Sequence, residues 1–570
     1  MKLELAKKLL CIAAIGMLFP VAAQAADLDL QQKIDKLSKE VADLKGSVKQ
    51  VEDKSLGKWL TIGGDYRFRV DSLHGETASY TNAPTFFTAL QASPIMAGFF
   101  GDPATQALMS AKTYSALNAM APGLNQAMLN GMVMGYLMNP AGHGMTQAQA
   151  QAFLGGLNVN GVSPYQAAYK PKNETIYTNK FGLDLKAKAA QDLTVNVKLG
   201  MYKTFGSQDD TATTGNYFAD RVGTFDGTLG HVPSSSLLNV DRAYATWSNI
   251  GDQPVWFSVG RRPSTNGAPT NLKANTERPG NGGTPALLVD YAFDGMTLGY
   301  APDIDALPGA YAKVCYGRGF DSGFKSPTNS IKDTDMLGVA VIPVDTDPLR
   351  VWMQWNRGFN IFDFPVMNNT SAFGTTAPAT NLGDIDWYGA GAMSTLKNVG
   401  PGNLNLFADF GLSITHPNDN VSAQAGFQGL GTGGFMTIEA PKDKTGWAVF
   451  AGVRYDLPSK TKVGFEFNHG SKDWITFAPS ADDMWTSKVG VRGNVFEPYI
   501  IQELNLKPIS SYLSKAFFKI GYQYYDFEYT GSNNWVGAPV KISTIQATDM
   551  LLMAPVKTAH DIYGTFEVKF

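Results

Sequence analysis

The chain has 570 residues, of which 17% are charged, 59 are glycine and 12% are aromatic, with a formal net charge of −3; soluble domains carry roughly 25% charged residues. No run of about 18 apolar residues follows the N-terminal region, which excludes a polytopic helical membrane protein. Without a block of Lys and Arg there is no field for wrapping nucleic acid, so no nucleic-acid partner is expected. Two cysteines, Cys11 and Cys315, support neither a disulfide framework nor a Cys-based metal cluster, and no cofactor is expected. Few charges, many glycines and aromatics, and no apolar helix fit an all-β chain, a transmembrane antiparallel β-barrel, in which lipid-facing and lumen-facing residues alternate and cancel in any window.

In chain order, Lys2, Lys7 and Lys8 precede an apolar stretch from Leu9 to Ala22, followed by Ala23-Gln24-Ala25. This is the pattern of a secretory signal peptide, residues 1–25, cleaved after Ala25. Leu30, Ile34, Leu37, Val41, Leu44, Val48 and Val51 then recur at alternating spacings of four and three. That seam predicts a short coiled-coil helix over residues 26–58, joining two or three copies. A single amphipathic helix is the alternative for so short a segment.

Residues 59–570 read as the barrel. In LTIGGDYRFRVD, residues 60–71, Ile62, Gly64, Tyr66, Phe68 and Val70 alternate with Gly63, Asp65, Arg67, Arg69 and Asp71, so one face is apolar and the other aqueous. NKFGLDLKAKA and LTVNVKLGMYK flank a tight turn near 189–192. Further strands are expected to end at Trp247, then over 255–262, 286–301 with a bulge at Asp294-Gly295, 310–319, 335–343, 349–358, 384–394, 403–415, 445–456, 461–469, 486–497, 516–529 and 560–570. The total is sixteen, with short turns on one side and long loops on the other. An even count puts both barrel ends on the short-turn side.

The first link, residues 72–173, is too long for a structureless loop. Between Thr77 and Tyr169 its formally charged residues are Asp102 and Lys112, and it is rich in Met and Ala. Segments ATQALMSAKTYSALNAM and LNQAMLNGMVMGYLM suit helices broken at Pro122 and Pro140. The expected role of this partly helical loop is to fold into the barrel as a constriction or plug.

If the apolar set faces lipid, its complement faces the lumen. That complement holds Arg67, Arg69, Lys186, Lys188, Lys198, Arg350, Arg454, Lys488, Arg492, Lys519 and Lys569 against Asp65, Asp71, Asp184, Asp386, Asp409, Glu466 and Glu567. Excess fixed positive charge concentrates anions in a narrow pore. Arg67 and Arg69, beside the first loop, are the expected selectivity element; the alternative is that these charges pair and merely satisfy the wall. Gly429, Gly431 and Gly434 have the spacing of a dinucleotide fingerprint but lie between two expected strands, so they read as a flexible loop.

The chain ends IYGTFEVKF, with Ile562, Phe566, Val568 and Phe570 on one face. This resembles the C-terminal signal by which insertion machinery recognises outer-membrane barrels. With the signal peptide and the alternation, the chain resembles a porin-like outer-membrane protein of a diderm bacterium with an N-terminal periplasmic helix. The resemblance implies passive diffusion of small hydrophilic solutes, here with a weak anion preference, contact with outer-membrane lipid, an oligomer, and both mature termini in the periplasm. No nucleophile constellation suggests an enzyme. The alternatives are a plugged barrel serving as envelope tether or interaction scaffold, and a sheath around a separate redox partner.

Overall fold

The computed structural model describes residues 59–86, 101–131, 164–206, 235–263, 268–276, 287–370, 374–422, 424–478, 483–506 and 515–570. The signal-peptide and coiled-coil readings fall outside these residues. The chain divides into two units, Met1–Thr61 and Ile62–Phe570, and the second is the barrel.

Sixteen strands close into one antiparallel barrel. They are β1 (Leu60–Thr77), β2 (Lys172–Ala190), β3 (Leu193–Thr204), β4 (Ser235–Trp247), β5 (Val255–Pro263), β6 (Ala292–Tyr300), β7 (Tyr311–Phe320), β8 (Thr334–Asp345), β9 (Arg350–Phe362), β10 (Asn381–Val399), β11 (Gly402–Pro417), β12 (Lys444–Asp456), β13 (Thr461–Gly470), β14 (Gly493–Glu503), β15 (Lys515–Phe527) and β16 (Val556–Lys569). Each pairs with its chain neighbours, and β16 returns to β1 with Asp65 opposite Lys569 and Arg67 opposite Glu567. Short links 191–192, 248–254, 301–310, 346–349, 400–401, 457–460 and 504–514 share one rim with both barrel ends. The opposite rim carries 78–171, 205–234, 264–291, 321–333, 363–380, 418–443, 471–492 and 528–555.

Period-two alternation sorts side chains to two faces. On the outside, Leu298, Val314, Met353, Phe410, Phe465, Ile500, Ile520 and Ile562 are exposed large apolar residues spread around the barrel. An apolar belt of this extent is what a hydrocarbon layer covers. Among the described residues no helix is long and apolar enough to cross a membrane; the outward faces of the strands carry the apolar surface.

Three strand readings need correction. The strand expected over 286–301 begins only at Ala292, and its register runs unbroken through Asp294 and Gly295, opposite Arg261 and Gly260, without a bulge. The strand expected over 486–497 begins at Gly493, after a 3₁₀ turn at Lys488–Gly490. Gly493 has φ +148°, and a Cβ there would lie 2.2 Å from the Asp526 carbonyl oxygen, so the chain turns into the sheet at that point. The inward set of β14 is consequently Val495, Glu497, Tyr499 and Ile501 rather than the opposite parity. Finally, β1 continues to Thr77, shortening the first loop at its start.

Candidate functional site

The inner face is continuous around the barrel, because inward residues face one another across each strand pair. In β2 to β5 it holds Lys180, Asp184, Lys186, Lys188, Lys198, Arg242 and Arg262: Asp184 stands opposite Lys198, Lys198 opposite Arg242, and Thr246 opposite Ser258 in the same row as Arg262. Lys186 and Lys188 are exposed, while Asp184, Lys198, Arg242 and Arg262 are half-buried. Lys198 Nζ bridges Asp65 at 2.5 Å and Asp184 at 3.2 Å. Lys186 and Lys188 have no carboxylate partner among the described residues. This sector is cation-rich and reached by water.

From β9 to β16 the inner face is packed. Four tryptophans, Trp352, Trp387, Trp474 and Trp535, are almost wholly buried. Their indole N–H groups donate to Asp409 Oδ1 (3.2 Å) and to the carbonyls of Ile475 (2.8 Å), Val489 (2.7 Å) and Phe362 (2.8 Å) respectively, as buried indoles require. Inward aromatics lie over glycines on the next strand: Trp352 on Gly391, Phe407 on Gly452, Tyr499 on Gly464 and Tyr563 on Gly521. A Cβ at any of these glycines would fall within 2.2 to 2.6 Å of the ring. Part of the high glycine content is therefore room for aromatic side chains inside the barrel.

The filling comes from links of the long-loop rim. Residues 287–291 and 471–478 run together, Phe477 N–H donating to Leu288 O and Asp290 N–H to Phe477 O, both at 2.9 Å. Leu288 and Trp474 press on Gly389 and Gly411 of the wall. Residues 268–276, in the link that follows β5, meet the short-turn end of the far wall. Leu272 O accepts from Arg454 Nη1 (2.5 Å), Ala274 O from Lys569 Nζ (2.5 Å) and Lys273 O from Lys519 Nζ (3.4 Å). Asn275 donates to Glu503 Oε1 (2.9 Å) and accepts from Lys462 Nζ (2.7 Å). This segment crosses the lumen.

The expected pore-lining residues divide between these sectors. Asp65, Lys186, Lys188 and Lys198 belong to the water-reached one. Arg69 is held by Asp71 (2.6 Å) and Asp561 (2.9 Å) and stacks on Tyr563 at 4.3 Å, whereas Arg67 donates to the Tyr202 hydroxyl at 3.0 Å. Arg350 donates to the Tyr311 hydroxyl (2.9 Å), Arg454 makes two 2.7 Å contacts to Asp456, and Lys519 pairs with Glu567 at 2.8 Å. Glu466 pairs with Lys488, which also reaches Glu497 at 2.5 Å. Arg492 lies on no strand; its guanidinium donates to the carbonyls of Trp474, Thr530, Gly531 and Asn534 at 2.7 to 3.2 Å and ties link 471–492 to link 528–555. Asp386 takes the outward parity, since its neighbour Trp387 points inward; it pairs with Arg357 at 2.9 Å and His416 at 3.0 Å.

Sequence reasoning missed Lys273, Glu497 and Asp561. Lys273 sits 2.5 Å from Glu497, and Glu497 also accepts from the Tyr563 hydroxyl at 2.7 Å. Asp561 follows from the parity of the last strand and was readable; Lys273 lies on a link whose inward path no local pattern announces.

The described parts of the first loop pack against neighbouring links. A small sheet joins Tyr80–Asn82 to Tyr165–Gln166 and Met550–Leu551. Two helices, α1 (Pro103–Ser110) and α2 (Tyr114–Met120), fall within the segment expected to be helical, each capped by a side chain, Asp102 and Thr113. Leu117 packs on Val421 and Phe427, while Met109, Met120 and Met128 are exposed. The glycines at 429–434 are not a loose loop: Gly431 N–H donates to Trp535 O and Gly537 N–H to Gly429 O, both 2.8 Å, with Leu430 fully buried.

Residues 170–570 match the family described as "Protein of unknown function (DUF3373)". The chain belongs to DUF3373. The family match begins just before β2 and takes in fifteen of the barrel strands, leaving β1 and the first loop outside it. No curated protein matches. Among solved structures, the chain is similar to the anion-selective porin from Comamonas acidovorans (10% identity, 90% of this chain and 99% of that one, TM-score 0.38). It is also similar to Salmonella typhi OmpF in complex with daunomycin (8%, 70% and 92%, TM-score 0.35) and to in-vitro folded OmpT of Vibrio cholerae in its trimer form (12%, 71% and 94%, TM-score 0.33). At these scores the likenesses do not bear on the interior of the DUF3373 barrel.

Proposed function

We propose that this barrel is an outer-membrane porin whose water path is displaced to one side, along β2 to β5, and favours small anionic solutes. The observation that carries the reading is the inner row Lys180, Lys186, Lys188, Lys198, Arg242 and Arg262 against Asp65 and Asp184, which share Lys198, and Asp241 beside Arg242, in the sector where inward residues remain in contact with solvent. Fixed positive charge lining an aqueous path raises local anion concentration. In this reading the first loop forms a cap or constriction at the long-loop mouth. The short-turn rim with both barrel ends faces the periplasm, the exported N-terminal helix stands there, and copies associate as dimers or trimers. The C-terminal strand ending at Phe570 addresses the insertion machinery.

The test is the reversal potential of the full-length protein in a planar bilayer across a KCl gradient. Small anion-selective channels support the porin; cation selectivity sinks the anion preference. A second reading, a plugged scaffold, is favoured by the packed interior of β9 to β16, and a complete absence of channels from correctly folded protein would select it.

A further inference from the structure

Closure of the barrel brings together two histidines from the two ends of its sequence. In the pairing of β16 with β1, His74 stands directly opposite His560. Their chain neighbours Leu73, Ala559 and Asp561 are buried on the inner face, so period two turns both imidazoles outward, where both are half-buried. They lie toward the long-loop end of the two strands, beside the exposed pair Glu76 and Lys557 (3.1 Å) at the water edge of the apolar belt. Residues directly opposite each other in an antiparallel pair have Cβ atoms about 4.5–5.5 Å apart, and the charge of one ring acts on the other.

One nitrogen of each ring is already held. His74 Nε2 lies 3.2 Å from Ser72 Oγ, and His560 Nδ1 lies 2.5 Å from the Tyr522 hydroxyl oxygen. Tyr522 and Tyr524 flank the His560 ring at centroid distances of 5.9 and 5.0 Å and fix its orientation. With the proton on those nitrogens, each N–H donates to a hydroxyl, and a lone pair is left on His74 Nδ1 and on His560 Nε2. Neither of these two atoms has a partner among the described residues. A metal-binding imidazole is held in this way, its second nitrogen hydrogen-bonded to a neighbour that sets tautomer and direction. The other described histidines differ: His416 has both nitrogens on carboxylates, Asp443 at 2.9 Å and Asp386 at 3.0 Å, and His469 stands opposite Val449 and Asn494.

We infer that His74 and His560 bind one divalent first-row transition-metal ion, with Zn²⁺ as the probe. His74 Nδ1 and His560 Nε2 are the ligands, at the usual zinc–imidazole length of about 2.0–2.1 Å; imidazole suits zinc, copper and nickel alike. No group of three His, Cys, Asp or Glu side chains that could hold a metal exists among the described residues, so water fills the remaining positions and the ion exchanges with the medium. The site goes beyond the porin reading and does not depend on it, because binding is measured without a membrane.

Full-length protein without a histidine tag is titrated with Zn²⁺ in detergent by calorimetry. Wild type should bind one ion. Loss of a hydrogen-bonded neighbour of a metal ligand already costs about 10–100-fold in affinity, so His74→Gln and His560→Gln should each weaken binding by at least that factor. The double variant should bind no more weakly than either single one, because neither imidazole chelates alone. His469→Gln, an outward histidine without a histidine opposite, should bind as wild type does. Zinc affinity that is equal in wild type and in both folded single variants, or an equal loss in His469→Gln, overturns the site, as does an absence of binding.

Discussion

Two sectors of one barrel wall, β2 to β5 and β9 to β16, share the same strand geometry and the same alternation, yet their inner faces do opposite things. In the first, Lys186 and Lys188 reach water. In the second, Trp352, Phe407, Tyr499 and Tyr563 cover glycines of neighbouring strands, and links from the long-loop rim fill the space beyond them. The difference teaches that closing a sheet decides where a lumen is, whereas the inward side chains and the loops decide how much of it stays open.

The largest effect should come from emptying the packed sector. Replacing residues 268–276 by a Gly/Ser linker of equal length removes the span that meets Arg454, Lys462, Lys519 and Lys569. Single-channel conductance should rise several-fold. An unchanged conductance would mean that this segment does not limit the path and would break the comparison.

Next is the buried ionic cluster. Glu497 receives Lys273, Lys488 and the Tyr563 hydroxyl. Glu497→Ala leaves two cations buried without that partner, and breaking such a pair costs about 3–5 kcal/mol. The denaturation midpoint in detergent should fall clearly, while Asp184→Ala, at a half-exposed carboxylate, should change it little.

These expectations also mark what the sequence made legible. Strand number, the even closure and the outward belt followed from period two together with the alternation of short and long links, and β1, the β2–β3 hairpin and β16 could be read nearly residue by residue. The rule that apolar residues face lipid failed where the interior is itself apolar. Trp387 and Ile385 point inward and Asp386 outward at the start of β10, because residues 471–478 supply a hydrophobic partner from far along the chain. No local window contains that partner. The same cause inverted the phase of residues 486–492, which are loop, and hid Lys273.

A smaller effect separates the sectors by one methyl group. Gly411→Ala puts a Cβ 2.7 Å from the Trp474 ring and 3.0 Å from Leu288, so the overpacking should cost about 1–3 kcal/mol. Gly200, on β3, has its nearest neighbour, Asp241 Cβ, at 3.9 Å. Gly200→Ala should leave the midpoint unchanged or raise it, by up to ~1 kcal/mol, since strand glycine is entropically costly. Equal losses at both sites would show that the β3 wall is packed as well.

The finest test addresses the charge that distinguishes the water-reached sector. Lys186→Gln with Lys188→Gln removes two exposed cations from an inner row where Lys180, Lys198, Arg242 and Arg262 still oppose Asp65 and Asp184. Stability should change within about 0.5 kcal/mol, as at other exposed positions without a specific partner. The reversal potential in a KCl gradient should move toward zero without changing sign, because selectivity of a wet path follows the sum of its fixed charges. The shift should shrink as salt rises and the screening length falls to about 3 Å at 1 M. A double variant whose selectivity equals wild type at low salt would place the current elsewhere. The positive row on β2 to β5 would then be wall chemistry, and the search for the path would pass to the packed side.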